Sequence, residues 1–183
     1  MKIPFFVIYS LLLGVLIAFS SCGSDGRTTP ARLLAVKQAG MYGYINEKGV
    51  GVIKPNFVYA IDFAEGLGAV NIGGSAIGRD MPRNGKWGFI NEKQQIIINP
   101  KYYSPAIYAP IYNPELLSYV LHEAYQFSEG LAAVRTEYEW IYINQKDSVV
   151  IGNLKIQAAR KFSEGLAAIM INGRWGYIDK LGN

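Results

Sequence analysis

The sequence predicts an all-β fold made of short antiparallel units that follow one another along the chain. The main observation is an octapeptide of the pattern Phe-Ser-Glu-Gly-Leu-Ala-Ala-Val, which occurs three times, starting at Phe63, Phe127 and Phe162. A second block, of the pattern Trp-Gly-Tyr-Ile-Asn, occurs four times, starting at Tyr42, Trp87, Trp140 and Trp175. Units repeated in this way bury their apolar faces only against neighbouring units, so the sequence indicates a tandem array.

A hairpin is expected between the apolar end of each octapeptide and the aromatic block. Asn84-Gly85 and Asn172-Gly173 stand at this place, and Gly40 occupies it in the first unit. Asn-Gly between apolar runs favours a two-residue hairpin turn, because both residues tolerate positive φ.

A third strand is expected after each aromatic block. Asn46 should cap its own backbone in the intervening turn. The strand then runs from Val50 to Ile53 and is ended by Pro55. Three strands per unit and a terminal hairpin give about eleven strands, in either an open array or a closed ring.

Two insertions interrupt the repeat. The predicted units cover residues 33–66, 67–130 and 131–165, with a half unit at 166–183. The insertion at 71–84 is rich in glycine and is interpreted as a flexible loop. The insertion at 103–123 is expected to contain the one short helix, with Asn113 as N-cap and its end near Glu123.

The repeated residues are interpreted as structural. The octapeptide Phe and Leu are core candidates, and the Gly of the aromatic block is expected to leave a notch for such a side chain from the adjoining unit. Trp87 and Trp175 occupy matching places in well-formed units, so they are expected to be buried and to stabilise the fold more than Trp140 does. One acidic residue recurs in each octapeptide: Glu65, Glu129 and Glu164. These residues could form a functional ring. The preferred interpretation is structural, in which each accepts a backbone N–H group or pairs with a basic side chain.

The N-terminus has the layout of an export signal. Residues 1–21 contain one basic residue and an apolar run, and residues 22–32 form a polar tether. The sequence before Cys22, the only cysteine, resembles a relaxed bacterial lipoprotein signal. This resemblance implies lipidation of Cys22, attachment to a membrane through that lipid, and a place in the bacterial cell envelope, with the outer membrane favoured. An ordinary signal peptide or an uncleaved anchor is the alternative.

Over residues 33–183, apart from the insertions, the two blocks resemble those of the WG repeat family. The chain departs from the family pattern at Tyr42, which replaces Trp, at Ile141, which replaces Gly, and at Asn153, which replaces Pro. The resemblance implies an all-β repeat scaffold of the kind common in bacterial envelope proteins. It brings no catalytic residue with it.

The composition argues against several functional classes. The net charge of +4, which falls to +3 without Lys2, is small and dispersed, so no nucleic-acid partner is expected. His122 is the only histidine. With Cys22 assigned to the anchor, no metal site, cofactor or catalytic residue is expected.

The predicted function is therefore a non-enzymatic scaffold that binds a protein or a glycan. The candidate binding residues are Tyr103, Tyr108, Tyr112 and Tyr119, because tyrosine provides large contact area and a hydroxyl at low entropic cost. The competing hypothesis for this insertion is a helical cap docked on an open end of the array. The alternative function is a glycan-directed hydrolase that uses carboxylates of the insertion such as Glu115 or Glu123.

Overall fold

A computed structural model describes residues 32–77, 81–105 and 123–183, and within them the protein consists of four small antiparallel sheets. The first contains β1 (Leu34–Gln38), β2 (Met41–Ile45) and β3 (Gly51–Phe57). The second contains β4 (Tyr59–Ala60), β5 (Gly68–Ile77), β6 (Met81–Ile90) and β7 (Ile96–Tyr102). The third contains β8 (Leu131–Arg135), β9 (Trp140–Asn144) and β10 (Val149–Ile156). The fourth contains β11 (Ala158–Ala159), β12 (Leu166–Ile171) and β13 (Arg174–Asp179).

The predicted all-β repeat fold is confirmed. Each octapeptide leads into one strand, the aromatic block forms the next, and the strands pair in antiparallel register. The described part holds thirteen strands instead of about eleven, mainly because two-residue strands, β4 and β11, pair with the octapeptide strands β5 and β12. The sheets of the described part do not close into a barrel.

The turn after each aromatic strand has the predicted structure. The Oδ1 atom of Asn46 accepts hydrogen bonds from the backbone N–H groups of Lys48 and Val50, both at 3.0 Å. Asn91, Asn144 and, in the last sheet, Asp179 accept the same pair of bonds. Each unit therefore fixes this turn with one side chain.

The glycine of the aromatic block has a different role from the predicted notch. A Cβ atom on Gly43 would lie 2.5 Å from the carbonyl oxygen of Ile53, and one on Gly88 would lie 2.5 Å from that of Ile98. The space is filled by the backbone of the third strand, where the register shifts at a bulge, and not by a side chain of the adjoining unit. Pro55 and Pro100 lie at this bulge, each within an edge strand, so Pro55 does not end β3.

The third unit shows how the fold accepts a side chain at this position. Ile141 replaces the glycine, and the opposite strand β10 supplies Gly152, whose Cβ position lies 3.4 Å from Ile141 Cγ2. Strand β10 also bulges further, with positive φ at Asn153 and Lys155. In this unit the glycine lies on β10 instead of β9, and the two strands still pack against each other.

The first insertion extends a hairpin instead of forming a flexible loop. Strands β5 and β6 stay paired from Gly68 with Ile90 to Ile77 with Met81. Asn84 and Gly85, where a turn was predicted, lie within β6 and do not end it. Both residues have positive φ. The ribbon reaches Ile77 and Met81, and residues 78–80 lie outside the described part.

Most of the second insertion, including the body of the predicted helix, lies outside the described residues. Residues 123–124 are helical. The side chains that flank the insertion, Tyr102 and Tyr125, are buried in the core. Tyr102 pairs with Trp87 as Phe57 pairs with Tyr42 in the first sheet, so Tyr102 belongs to the repeat. Within the described part, no helix has the length and apolarity needed to cross a membrane.

Candidate functional site: the uncovered face of the last sheet

Neighbouring sheets are joined by a repeated aromatic contact. In the first three sheets, the central aromatic residue of the aromatic strand packs against the octapeptide Phe that follows it along the chain. The ring centroids lie 4.8–5.0 Å apart in three such pairs, Tyr44–Phe63, Phe89–Phe127 and Tyr142–Phe162. Both rings of each pair are buried, so the octapeptide Phe is a core residue at the junction between sheets, as the sequence predicted.

Two of the three aromatic residues also donate a hydrogen bond across the junction. The hydroxyl of Tyr44 donates to the carbonyl of Ile61 at 3.1 Å, and that of Tyr142 donates to the carbonyl of Arg160 at 2.7 Å. Each acceptor stands two residues before the octapeptide Phe. Burial raises the pKa of both tyrosines, which keeps the hydroxyls protonated and able to donate.

The octapeptide Glu forms a second repeated contact. The carboxylate of Glu65 accepts the backbone N–H of Gly130 at 3.0 Å, and that of Glu129 accepts the N–H of Gly165 at 3.1 Å. Each Glu therefore binds the glycine that follows the equivalent Glu of the next sheet. A hydrogen bond from Lys180, at 2.9 Å, and the N–H of Gly165 lower the pKa of Glu129. The predicted structural role is confirmed for these two glutamates.

The residue before the Glu adds a third contact at one junction. The Oγ atom of Ser128 donates to the carbonyl of Phe162 at 2.7 Å. The third sheet thus contacts the next octapeptide through an aromatic ring, a tyrosine hydroxyl, a serine hydroxyl and a carboxylate.

The fourth sheet carries the same groups, but no following sheet covers them among the described residues. Its aromatic residue, Tyr177, is 74% exposed, whereas Tyr142 of the third sheet is 0% exposed. The side chains of Ser163 and Glu164 make no hydrogen bond to other described residues. Leu166 is 49% exposed beside them. The last sheet therefore presents an uncovered junction face.

The expectation that Trp175 is buried is wrong. Trp175 is 51% exposed, with the guanidinium of Arg160 at 5.2 Å from its ring centre. Trp140, which was expected to matter less, is 3% exposed and packs against Tyr125. Trp87 is fully buried, as predicted, and stacks on Tyr125 at 4.9 Å. The burial of these tryptophans follows from contacts such as those with Tyr125 and not from how well a unit matches the repeat.

A groove of about 430 Å³ opens beside this face. Its walls combine apolar surface with charged and hydroxyl groups, supplied by Glu123, Arg160, Lys161, Ser163, Glu164 and Tyr177. Lys161 and Glu123 form an ion pair at 3.5 Å. The uncovered face, defined by Ser163, Glu164, Leu166, Trp175 and Tyr177, is the candidate binding site of the described chain.

Of the tyrosines predicted to bind a partner, only Tyr103 is among the described residues, and it lies away from the uncovered face. Tyr103 is exposed at the edge of the second sheet, where its N–H donates to the carbonyl of Arg135 at 2.8 Å and Lys86 lies over its ring. Tyr103 does not line the groove. The other predicted residues, Tyr108, Tyr112, Tyr119 and Cys22, lie outside the described part, as do Glu115 and His122.

Sequence reasoning missed the candidate site because the burial of the central aromatic residue depends on a neighbouring sheet. Among the described residues, no octapeptide Phe packs on Tyr177, whereas Phe63 and Phe162 pack on Tyr44 and Tyr142. In the described part of the chain, no group of three or more His, Cys, Asp or Glu side chains is arranged to hold a metal ion.

The family described as WG containing repeat matches residues 42–75, 87–104, 116–140 and 142–175, which together make up more than half of the chain. No curated protein and no solved structure matches the chain.

Proposed function

The chain belongs to the WG containing repeat family, and on that premise we propose that it is a non-enzymatic binding scaffold of the bacterial cell envelope. The observation that carries the proposal is the uncovered face of the last sheet. Tyr177 and Trp175 expose 74% and 51% of their surface there, next to a groove. Exposed aromatic clusters with adjacent polar groups are typical of binding surfaces, and this one would hold a protein or a glycan.

Photo-crosslinking in intact cells tests this proposal. A photoreactive phenylalanine analogue at position 177 is expected to give covalent adducts larger than the chain itself. The matched control is position 138, because Tyr138 is also strongly exposed but lies in the turn between β8 and β9, away from the groove. Adducts at neither position, or equal adducts at both, would contradict a binding role for this face.

The second element of the proposal is the anchor. Cleavage before Cys22 and acylation of its thiol would place the folded repeats on a membrane, with residues 23–32 as a tether. A single acyl chain binds membranes only marginally, so stable attachment requires the several chains that a lipoprotein carries. Mass spectrometry of membrane-extracted protein is expected to show a lipidated N-terminal Cys22. A Cys22→Ser chain is expected to leave the membrane fraction, and its retention there would refute the anchor.

A glycan-directed hydrolase remains the second candidate function, and one observation favours it. Glu123 and Glu164 both line the groove, together with Tyr177. Carboxylate pairs in such clefts cleave glycosidic bonds when one member is protonated. The carboxylate of Glu123 is already engaged by Lys161 at 3.5 Å, and this contact across the groove favours the binding scaffold.

A reducing-end assay separates the two functions. The purified chain is incubated with peptidoglycan fragments, and the scaffold proposal predicts no new reducing ends. Release of reducing ends that disappears in both the Glu123→Gln and the Glu164→Gln chain would establish the hydrolase.

A further inference from the structure

We propose that the folded repeats lie directly on the lipid bilayer through one end of the array, where exposed aliphatic side chains of three successive sheets enter the interfacial region. The inference rests on the proposed anchor at Cys22 and adds to it a second, oriented contact with the same membrane. The end concerned is the turn end, which is defined by the turns that follow the first three aromatic strands, at residues 46–50, 91–95 and 144–148.

The turn ends of neighbouring sheets lie side by side. Gln145, in the turn of the third sheet, donates from Nε2 to the carbonyl of Glu65 at 3.0 Å, and the carboxylate of Glu65 accepts the N–H of Gly130 at 3.0 Å. The carbonyl of Leu33, just before β1, accepts the N–H of Phe63 at 2.9 Å. Each octapeptide turn also adjoins the turn end of its own sheet, because the strand after it pairs with the end of the aromatic strand. The turns of the first three sheets therefore form one continuous edge.

The chain enters the array at this same end. Leu34, the first residue of β1, pairs with Ile45, which directly precedes the turn at 46–50. A tether from residue 23 to residue 32 spans at most about 36 Å. An acylated Cys22 would therefore hold the turn end close to the bilayer and raise its effective concentration at the lipid surface.

Each of these sheets exposes two branched aliphatic side chains at the turn end. The first residue of each third strand pairs with the isoleucine that directly precedes the turn, so the start of the strand lies at this end. The aliphatic side chains at this place are 45–59% exposed: Val50, Val52, Ile96, Ile97, Val149 and Val150. Among the side chains that the structure describes in these sheets, Ile72 is the one other exposed valine, leucine or isoleucine. The exposure recurs in three units that are each followed by another sheet, so it belongs to the unit and not to one place in the array.

A lysine accompanies the aliphatic pair in each turn. Lys48, Lys93 and Lys146 hold the same position, where the capping Asn binds their backbone N–H, and all three are exposed. A lysine beside an inserted aliphatic pair keeps its ammonium in water at the level of the lipid head groups while its stem follows the apolar surface. Glu47 and Glu92 precede two of these lysines, so the turns carry little net charge. The contact is therefore expected to be mainly apolar and to withstand added salt.

The combination of lysines with aliphatic pairs favours a bilayer over a second copy of the chain. Lysine is depleted in protein interfaces, whereas segments that lie in the membrane interface combine apolar and basic side chains. The three aliphatic pairs also belong to three different sheets, so they follow the length of the array. A partner with an extended surface, as a bilayer has, contacts all three pairs at once.

Brominated lipid tests the inference in the full-length, acylated chain reconstituted into phosphatidylcholine vesicles. A fluorophore is attached to Val150→Cys, and Tyr138→Cys is the matched control. Both positions are exposed in the third sheet, but Tyr138 lies in the turn between β8 and β9, at the opposite end. Bromine on the acyl chains is expected to quench the fluorophore at position 150 by at least about half, because interfacial side chains lie within about 5–10 Å of the acyl boundary. The fluorophore at position 138 is expected to stay unquenched. Equal quenching at both positions, or none at position 150, would overturn the inference.

The second sheet supplies a further variant. Ile96→Ser combined with Ile97→Ser removes two exposed side chains, so the chain is expected to fold normally, which circular dichroism checks. The fluorophore at position 150 is then expected to show at least about twofold less quenching, because binding to the interface scales with buried apolar area. Ile72→Ser is the control, since Ile72 is exposed but pairs with Lys86 on the hairpin side of the second sheet. Equal effects of the two changes would contradict the role of the turn end, and loss of quenching at about 1 M salt would contradict an apolar contact.

The labelling reaction separates this inference from the anchor proposal. Cys22 is the only native cysteine, so a fluorophore that attaches to the wild-type chain would reveal a free Cys22 thiol. That result would refute the anchor, and the inference would fall with it. A blocked Cys22 combined with equal quenching at positions 150 and 138 would refute the oriented contact and leave the anchor standing. A spectral shift at position 150 that grows with protein concentration in detergent, without quenching in vesicles, would make a second copy the occupant and overturn the inference.

Discussion

The glycine of the aromatic block should be essential in one unit and dispensable in another. Gly88 of the second sheet is buried, and a Cβ atom there would lie 2.5 Å from the carbonyl oxygen of Ile98 and 2.8 Å from the nitrogen of Pro100. Gly176 holds the same motif position in the last sheet, where a Cβ atom would meet nothing within 4 Å. We expect Gly88→Ala to destabilise the protein and Gly176→Ala to leave it unchanged or slightly more stable.

The magnitude follows from the two environments. Both atoms near the Gly88 Cβ position belong to backbone, so β6 and β7 must move apart and weaken their hydrogen bonds. Overpacking costs about 1–3 kcal/mol and a weakened hydrogen bond about 1 kcal/mol, which gives about 2–4 kcal/mol for Gly88→Ala. Gly176→Ala lowers the entropy of the unfolded chain, which stabilises the fold by about 0.4–1 kcal/mol.

Urea denaturation followed by far-ultraviolet circular dichroism measures the difference. At a slope of about 2 kcal/mol per molar urea, the two midpoints should differ by about 1–2.5 M. The melting temperatures should differ in the same direction, by about 2–4 °C per kcal/mol. Equal midpoints for Gly88→Ala and Gly176→Ala would refute the assignment of this glycine to the close approach of the third strand.

Two further predictions follow from burial and charge. Trp140→Ala should lower the free energy of unfolding by about 3–5 kcal/mol, and Trp175→Ala by about 1–2 kcal/mol, because only the first leaves a buried cavity. Thermal unfolding monitored by circular dichroism compares the two variants. A larger loss for Trp175→Ala would contradict the description of the last sheet. The lowered pKa of Glu129 means that its contribution to stability is present above its unfolded pKa and is lost as the pH falls through its folded pKa. Glu129→Gln should therefore reduce the loss of stability between about pH 5 and pH 3 in acid titrations, where carboxylates protonate; an unchanged acid titration would argue against this contact.

The sequence by itself determined the repeated unit and its local chemistry. The turn capped by Asn46 follows from local backbone geometry, and the strand order follows from the alternation of apolar runs and turns. The predicted role of the octapeptide Glu as an acceptor of backbone N–H groups was also correct, although the sequence did not identify its partner. Gly130, the partner of Glu65, is 65 residues away, in the next sheet.

Only the tertiary structure decided which copy of each repeated residue is buried and which is exposed. Tyr142 and Tyr177 have nearly the same sequence surroundings, yet one is enclosed and the other uncovered, because burial depends on a neighbouring sheet that local sequence does not encode. The same reason explains why Gly176 has open space where Gly88 has none: the third strand that approaches Gly88 is not present beside Gly176. Local patterns specify strands and turns, whereas contacts between units depend on where each unit stands in the array.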